Sequence, residues 1–261
     1  MREIMYDVNS VLIAAILFVS MVVAIELGAR LGIRLHKEAN DSLRSQVNAL
    51  QGSLLGILAL LLGFTFSQSL QRYDARSAAV VEEANAIGTA YLRIDLLPES
   101  VRTESKSLMR DYIEMRIEAG AISVDREEER DALLAKGQEV QEKLWQLAVT
   151  GAATSDRPAT MNLYLQSLNE MIDSNTRRDA ALGRHVPELV LFLLYGTFIL
   201  TGALLGYASG IGGHRASNGT YVLVALIVVL VFIIIDLDRP RRGLIEVNQS
   251  SLVELRSMTT E

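Results

Sequence analysis

Four uncharged stretches, residues 8–25, 45–71, 189–213 and 216–235, constrain this chain more than any other feature. About 20 consecutive apolar residues make a helix that crosses the hydrocarbon core of a bilayer, and each stretch is that long or nearly so. In lipid every backbone polar group must be satisfied internally, which a helix does within one segment. The residues between the second and third stretches are polar. The expected fold is therefore all-α: an integral membrane protein with four transmembrane helices and a helical soluble domain between helices 2 and 3. The expected division is a first transmembrane hairpin over 1–70, a soluble insert over 71–185 continuous with helix 2, a second hairpin over 186–238 and a tail over 239–261.

Half of the residues are hydrophobic, yet 21% are charged, so the average hides two environments. With no cysteine there is no disulfide framework, thiolate metal site or cysteine nucleophile. A net charge of −6 argues against a nucleic-acid partner. No phosphate-binding loop, HExxH helix or nucleophile elbow occurs, so no catalytic residue, enzyme activity or cofactor is expected. His36, His185 and His214 stand singly near the ends of the apolar stretches. A metal site needs convergent ligands, so none is expected here. The first stretch follows Met1-Arg2 as in a signal peptide. Glu26 closes it without a small-x-small cleavage site, so it reads as an uncleaved first span.

No proline interrupts residues 43–97, which predicts one very long helix running out of the second span until Pro98 stops it. Beyond the membrane it carries a 4-3 seam of Tyr73, Ser77, Val80, Ala84, Ile87, Tyr91 and Ile94, a pattern that packs on other helices. A second soluble helix starts at Pro98 with Val101, Leu108, Tyr112, Met115, Ala119 and Ile122 inward. The acidic run 125–129 opens a third with Leu134, Val140, Leu144 and Leu147, and 150–157 reads as a loop. Pro158 starts a fourth with Met161, Leu165, Leu168 and Ile172. The tail after Pro240 reads as a short amphipathic helix. An even number of spans puts both termini and the insert on one side. Arg2, Arg72, Arg76, Arg177, Arg178, Arg184, Arg239, Arg241 and Arg242 on that side face Arg30, Arg34, Lys37, Arg44 and Arg215 on the other. The raw count leans to a cytoplasmic insert; without the insert's own residues the two sides nearly balance, since long loops translocate regardless of charge.

Gly52, Gly56, Leu60 and Phe64 recur every four residues in the second span and form one stripe. Gly52 and Gly56 make a GxxxG pair, which lets helix backbones approach closely. Gly202, Gly206 and Gly210 make two overlapping pairs in the third span. Helix packing is the first reading of the stripe; a pore lining, with Leu60 and Phe64 as an apolar constriction that gates by dewetting, is the second. Glu26 is an intramembrane acid of the kind that marks proton or ion paths, or an interfacial residue beside Arg30.

The segment 61–76, Leu-Leu-Gly-Phe-Thr-Phe-Ser-Gln-Ser-Leu-Gln-Arg-Tyr-Asp-Ala-Arg, resembles the second transmembrane helix of bacterial bestrophins, in which an LGF-type turn precedes a YDRWWEAR-like stretch. Residues 81–98 and the Asp236-Leu237-Asp238-Arg239-Pro240 end of the last span are similar to the bacterial bestrophin-like domain membrane proteins, over nearly the whole chain. Bestrophins are pentameric channels, mostly for anions, with some bacterial members preferring cations. The resemblance implies a pore lined by helix 2, a neck at Phe64, Leu60 and Gly56, and mouth charges at Arg72, Asp74 and Arg76. Two departures stand out: Gln71-Arg72-Tyr73 replaces the tryptophan pair, and Gly56 replaces a larger neck residue. The run 125–129 lacks the alternating ligands and glycine of a calcium loop.

The leading expectation is an oligomeric ion channel, anions first, in the bacterial inner membrane. Its partners would be the lipid bilayer, further copies of the chain (a pentamer by resemblance alone) and small inorganic ions. A non-conducting membrane scaffold or sensor, and a proton-coupled transporter using Glu26, stay open as alternatives. The transporter ranks lower because paired repeats and broken helices are missing.

Overall fold

The computed structural model describes residues 8–122, 126–239 and 244–259. Arg2, Asp125, Pro240, Arg241, Arg242 and Gly243, on which the sequence reading drew, lie outside them. Among the described residues there are eight α-helices and no strand: α1 Ser10–Leu35, α2 Asp41–Arg93, α3 Glu99–Ala121, α4 Glu127–Thr154, α5 Pro158–Leu182, α6 Glu188–Ile211, α7 Asn218–Asp238 and α8 Ser250–Thr259. Four of them, α1, α2, α6 and α7, are long and apolar enough to cross a membrane. The chain forms two compact units. One comprises the residues up to Arg72 with His185–Ile245; the other comprises Tyr73–Arg184 with the residues from Glu246 onward.

In the membrane unit the Asn9 side chain caps α1 by accepting from the Val11 N–H at 2.8 Å. The helix does not stop at Glu26. It continues to Leu35 because the charged residues that follow sit on helical spacing, and Arg30 Nε donates to Glu26 Oε1 across one turn at 3.0 Å. Asn40 starts α2, its side chain accepting from the Leu43 N–H. At 53 residues α2 is about 80 Å long at 1.5 Å per residue. It passes through the 3₁₀ turn Ile94–Leu96 and ends at Leu97, which is extended because Pro98 follows.

Helices α1 and α6 lie in close backbone contact through five glycines. A methyl group on Gly28 would collide with the Ala203 carbonyl, on Gly32 with Tyr207, on Gly206 with Ile25 and on Gly210 with Ala29. At Gly202 it would sit 3.2 Å from the Met21 carbonyl. This is small-residue packing between membrane helices. Gly202, Gly206 and Gly210 therefore meet a partner within the chain. That partner includes Gly28 and Gly32, which the sequence reading passed over although their spacing is the same GxxxG. Around this contact Leu17, Met21 and Ile25 of α1, Phe198 of α6 and Val224, Val231 and Ile234 of α7 form the core, joined by Leu58 and Leu62 of α2.

The soluble unit buries the expected seams. Val80, Ala84, Ile87 and Ile94 pack with Met109, Tyr112 and Ile113 of α3, Leu144 of α4, and Leu168 and Met171 of α5, with Tyr73 and Tyr91 partly buried against them. One feature differs from the sequence reading: α4 persists through part of 150–157 to Thr154, where the Thr150 and Thr154 hydroxyls donate to the carbonyls one turn back. The short helix read in the tail is α8, which places Leu252 and Leu255 in this core.

Candidate functional site

The stripe on α2 faces away from the rest of its own chain. Leu60 is 59% exposed and Phe64 60%, and nothing lies within 4 Å of the place a β-carbon would take at Gly52, Gly56 or Gly63. The buried side of the same helix carries Leu58, Leu62, Thr65 and Ser69. Only 17% of the α2 apolar window is buried, against 39%, 33% and 44% for α1, α6 and α7. The Gly52/Gly56 pair therefore packs on no helix of the described chain. Glycines that allow close approach and two large apolar side chains are presented outward by the least covered span.

The charged motif at the end of α7 is a clasp. Asp236, Asp238 and Arg239 are all buried. Asp236 Oδ2 accepts from the N–H groups of Leu244 (2.8 Å) and Ile245 (2.9 Å). Asp238 Oδ2 accepts from the Val186 N–H at 2.9 Å, just before α6, while its Oδ1 takes Arg72 Nη1 at 3.2 Å. Arg239 donates to the Val8 carbonyl and to Ser10 Oγ at the start of α1. Three consecutive-turn residues thus tie the ends of all four spans together. Removing one partner of such a buried pair leaves an uncompensated charge, which is what makes the motif costly to change.

The residues expected at a pore mouth divide by environment. Arg72 is engaged with Asp238. Arg76 is almost completely buried and donates to the Ala181 (3.3 Å) and Arg184 (2.7 Å) carbonyls, capping the C-terminal end of α5 where carbonyls lack helical partners. Both arginines are thus held by acceptors of the fold. Asp74, the third member, stays exposed. Glu26 is a half-buried carboxylate paired with Arg30. His36 Nδ1 lies 2.6 Å from the Ile211 carbonyl, and His214 Nδ1 is 3.2 Å from the Arg215 carbonyl. Among the described residues no group of three or more His, Asp or Glu is placed to hold a metal ion.

One polar centre escaped the sequence reading. In the soluble unit the fully buried Glu83 accepts from Arg116 Nε at 2.7 Å and from Arg178 Nη1, and Arg178 Nη2 donates to Gln249 at 2.7 Å. Arg116 loses solvation on burial, but Glu83 and Tyr112 more than offset this and raise its pKa. Burial also pushes the neighbouring Tyr112 phenol above its ordinary range, although Gln141 donates to its oxygen at 2.8 Å. The signal was present in the chain: Glu83 stands three residues after Val80, four before Ile87 and next to Ala84, so it borders the seam, where a charge must be paired.

Fold and site together define a four-span α-helical membrane protein whose second span continues into a helical soluble unit. The sequence model of the Bestrophin-like domain family matches residues 11–252, and the chain belongs to that family. Membership places it among channel-related membrane proteins. No curated protein and no solved structure matches it.

Proposed function

We propose that this protein is a passive ion channel assembled from several copies of the chain, with the exposed face of α2 lining the conduit and Leu60 and Phe64 forming its apolar constriction. The observation that carries this reading is the outward stripe. Three spans close-pack with one another while α2 offers Gly52, Gly56, Leu60 and Phe64 to something outside its own chain. A hydrophobic ring around an axis gates by dewetting, and family membership supports a channel. The assembly would be a pentamer by resemblance to bestrophins. It would sit in the bacterial inner membrane with the soluble unit on the cytoplasmic side. With Arg72 and Arg76 engaged inside the fold, the exposed charge next along α2 is Asp74. Cations therefore fit this geometry better than the anions first expected.

Ion flux from liposomes holding the purified oligomer tests the proposal. Leu60→Ala and Phe64→Ala are expected to raise flux or change selectivity with assembly intact. Absence of flux under varied voltage, pH and calcium, from an assembled protein, would return the stripe to packing between copies and make the protein a membrane scaffold.

A further inference from the structure

At the opposite end of the spans from the clasp, a cleft of about 310 Å³ opens between the start of α2 and the end of α6. Arg44, Asn48 and Gln51 line it from one face of α2, at i, i+4 and i+7; Ser209 and His214 line it from the other side, over a floor that includes Val47 and Ile211. No carboxylate is among its lining residues. The Nε of Arg44 is buried and has no hydrogen-bond partner among the described residues. Asp41, one turn away on α2, forms no ion pair with it among the described residues.

The ordinary role for an arginine at this place is to cap the C-terminal carbonyls of the neighbouring helix. Those carbonyls are already taken. Ala208 accepts from the Gly212 N–H at 3.2 Å, Ser209 from His214 at 3.3 Å and Gly210 from Gly213 at 2.9 Å. The Ile211 carbonyl meets His36 Nδ1. The Ser209 hydroxyl donates to Leu205. A guanidinium with a buried, unused donor, two amide side chains on the same helix face and no carboxylate lining the cleft therefore lacks an anion rather than a cap. Leaving such a donor desolvated and unpaired is unfavourable, and guanidinium pairs strongly with phosphate oxygens.

Depth decides which anion. Arg44 closes the charged part of α2, a polar uncharged stretch that includes Asn48 and Gln51 leads from it to the apolar run that begins at Leu54, and the apolar run of α6 ends at the glycines beside His214. The cleft thus lies where a spanning helix meets the headgroup layer. We propose that it binds a phosphodiester anion, supplied by the headgroup of an anionic membrane lipid, with Arg44 as the charged donor and Asn48 and Gln51 as supporting donors. The inference does not rest on ion conduction.

The full-length oligomer, delipidated in detergent and titrated with dioleoylphosphatidylglycerol under native mass spectrometry, tests it. Wild type should retain the lipid, Arg44→Gln should bind it about tenfold more weakly, and Lys37→Gln, which removes an exposed charge at the same end, should match wild type. Equal retention by Arg44→Gln and wild type, or equal binding of uncharged dioleoylglycerol, would overturn the proposal. Displacement of the lipid by millimolar inorganic phosphate, with the same Arg44 dependence, would overturn the lipid source in favour of a soluble phosphate. If Arg44→Gln does not assemble, the Asn48→Leu/Gln51→Leu double variant leaves the charge in place. It should lose several-fold in lipid binding, and no loss would count against the site.

Discussion

Glu83 holds two guanidinium groups in the interior of the soluble unit, so its replacement is the sharpest single-residue test of that core. Glu83→Gln keeps the shape but takes the carboxylate away from both Arg178 and Arg116, leaving Arg116 only the more distant Asp179 at 3.8 Å. The expected loss is about 3–5 kcal/mol, read from thermal or denaturant unfolding of the solubilised protein. Tyr112 makes a second test through pH. Its folded pKa lies above the unfolded value of about 10. The stability it contributes as a neutral phenol is therefore fully present below about pH 10 and is lost as pH rises beyond it. Tyr112→Phe should flatten the decline in melting temperature between about pH 9.5 and 11, at the expense of the Gln141 hydrogen bond at all pH values. Asp74→Asn tests the charge beside the stripe: the cation-to-anion permeability ratio in liposomes should fall, whereas an unchanged ratio would remove Asp74 from the ion path. None of these roles follows from residue type alone. Arg72, Asp74 and Arg76 lie within five positions, and their different fates depend on which acceptors the rest of the chain brings beside them.

At the scale of elements, glycines of one spacing do two different things. Gly206 meets the Ile25 carbonyl of α1, so Gly206→Ala must push α1 and α6 apart and should cost about 3 kcal/mol or more. Gly52→Ala meets nothing within the chain and should leave monomer stability unchanged or raise it by a few tenths of a kcal/mol through helix propensity. Parallel melting curves of the two variants check this. A large loss for Gly52→Ala alone would mean that a neighbouring copy is seated on that glycine. The long helix was legible because no proline breaks it for more than fifty residues and its seam switches to heptad spacing outside the membrane. The extension of α1 to Leu35 was not, because Glu26 and Arg30 read as the end of an apolar run although they form a one-turn ion pair within the helix. The segment 150–157 reads as a loop, yet α4 runs on to Thr154; Gly151 is buried there, where a β-carbon would crowd Val101 and Met161 at 3.2 and 3.4 Å.

For the whole molecule, exposed Leu60 and Phe64 on the least buried span predict that the detergent-solubilised protein is a homo-oligomer, measurable by light scattering with the detergent mass subtracted. The flux comparison of Leu60→Ala and Phe64→Ala then separates a lining from a packing seam. The sequence alone determined the class of fold, since a run of about 20 uncharged residues has few other stable environments than a bilayer-spanning helix. It also determined the helical nature of the insert through seams of fixed period, and the family through the segments at 61–76, 81–98 and 236–240. Tertiary structure decided which face of each helix is covered. Periodicity gives a stripe but not its partner, and in lipid an apolar side chain is equally at ease facing acyl chains, another span or another copy. That is why Gly206 proved internal and Gly52 external, and why Arg76 serves as a cap. It is also why Asp236, Asp238 and Arg239, readable beforehand only as part of a signature, form the clasp joining four span ends: buried hydrogen bonds between distant residues have no footprint in local spacing.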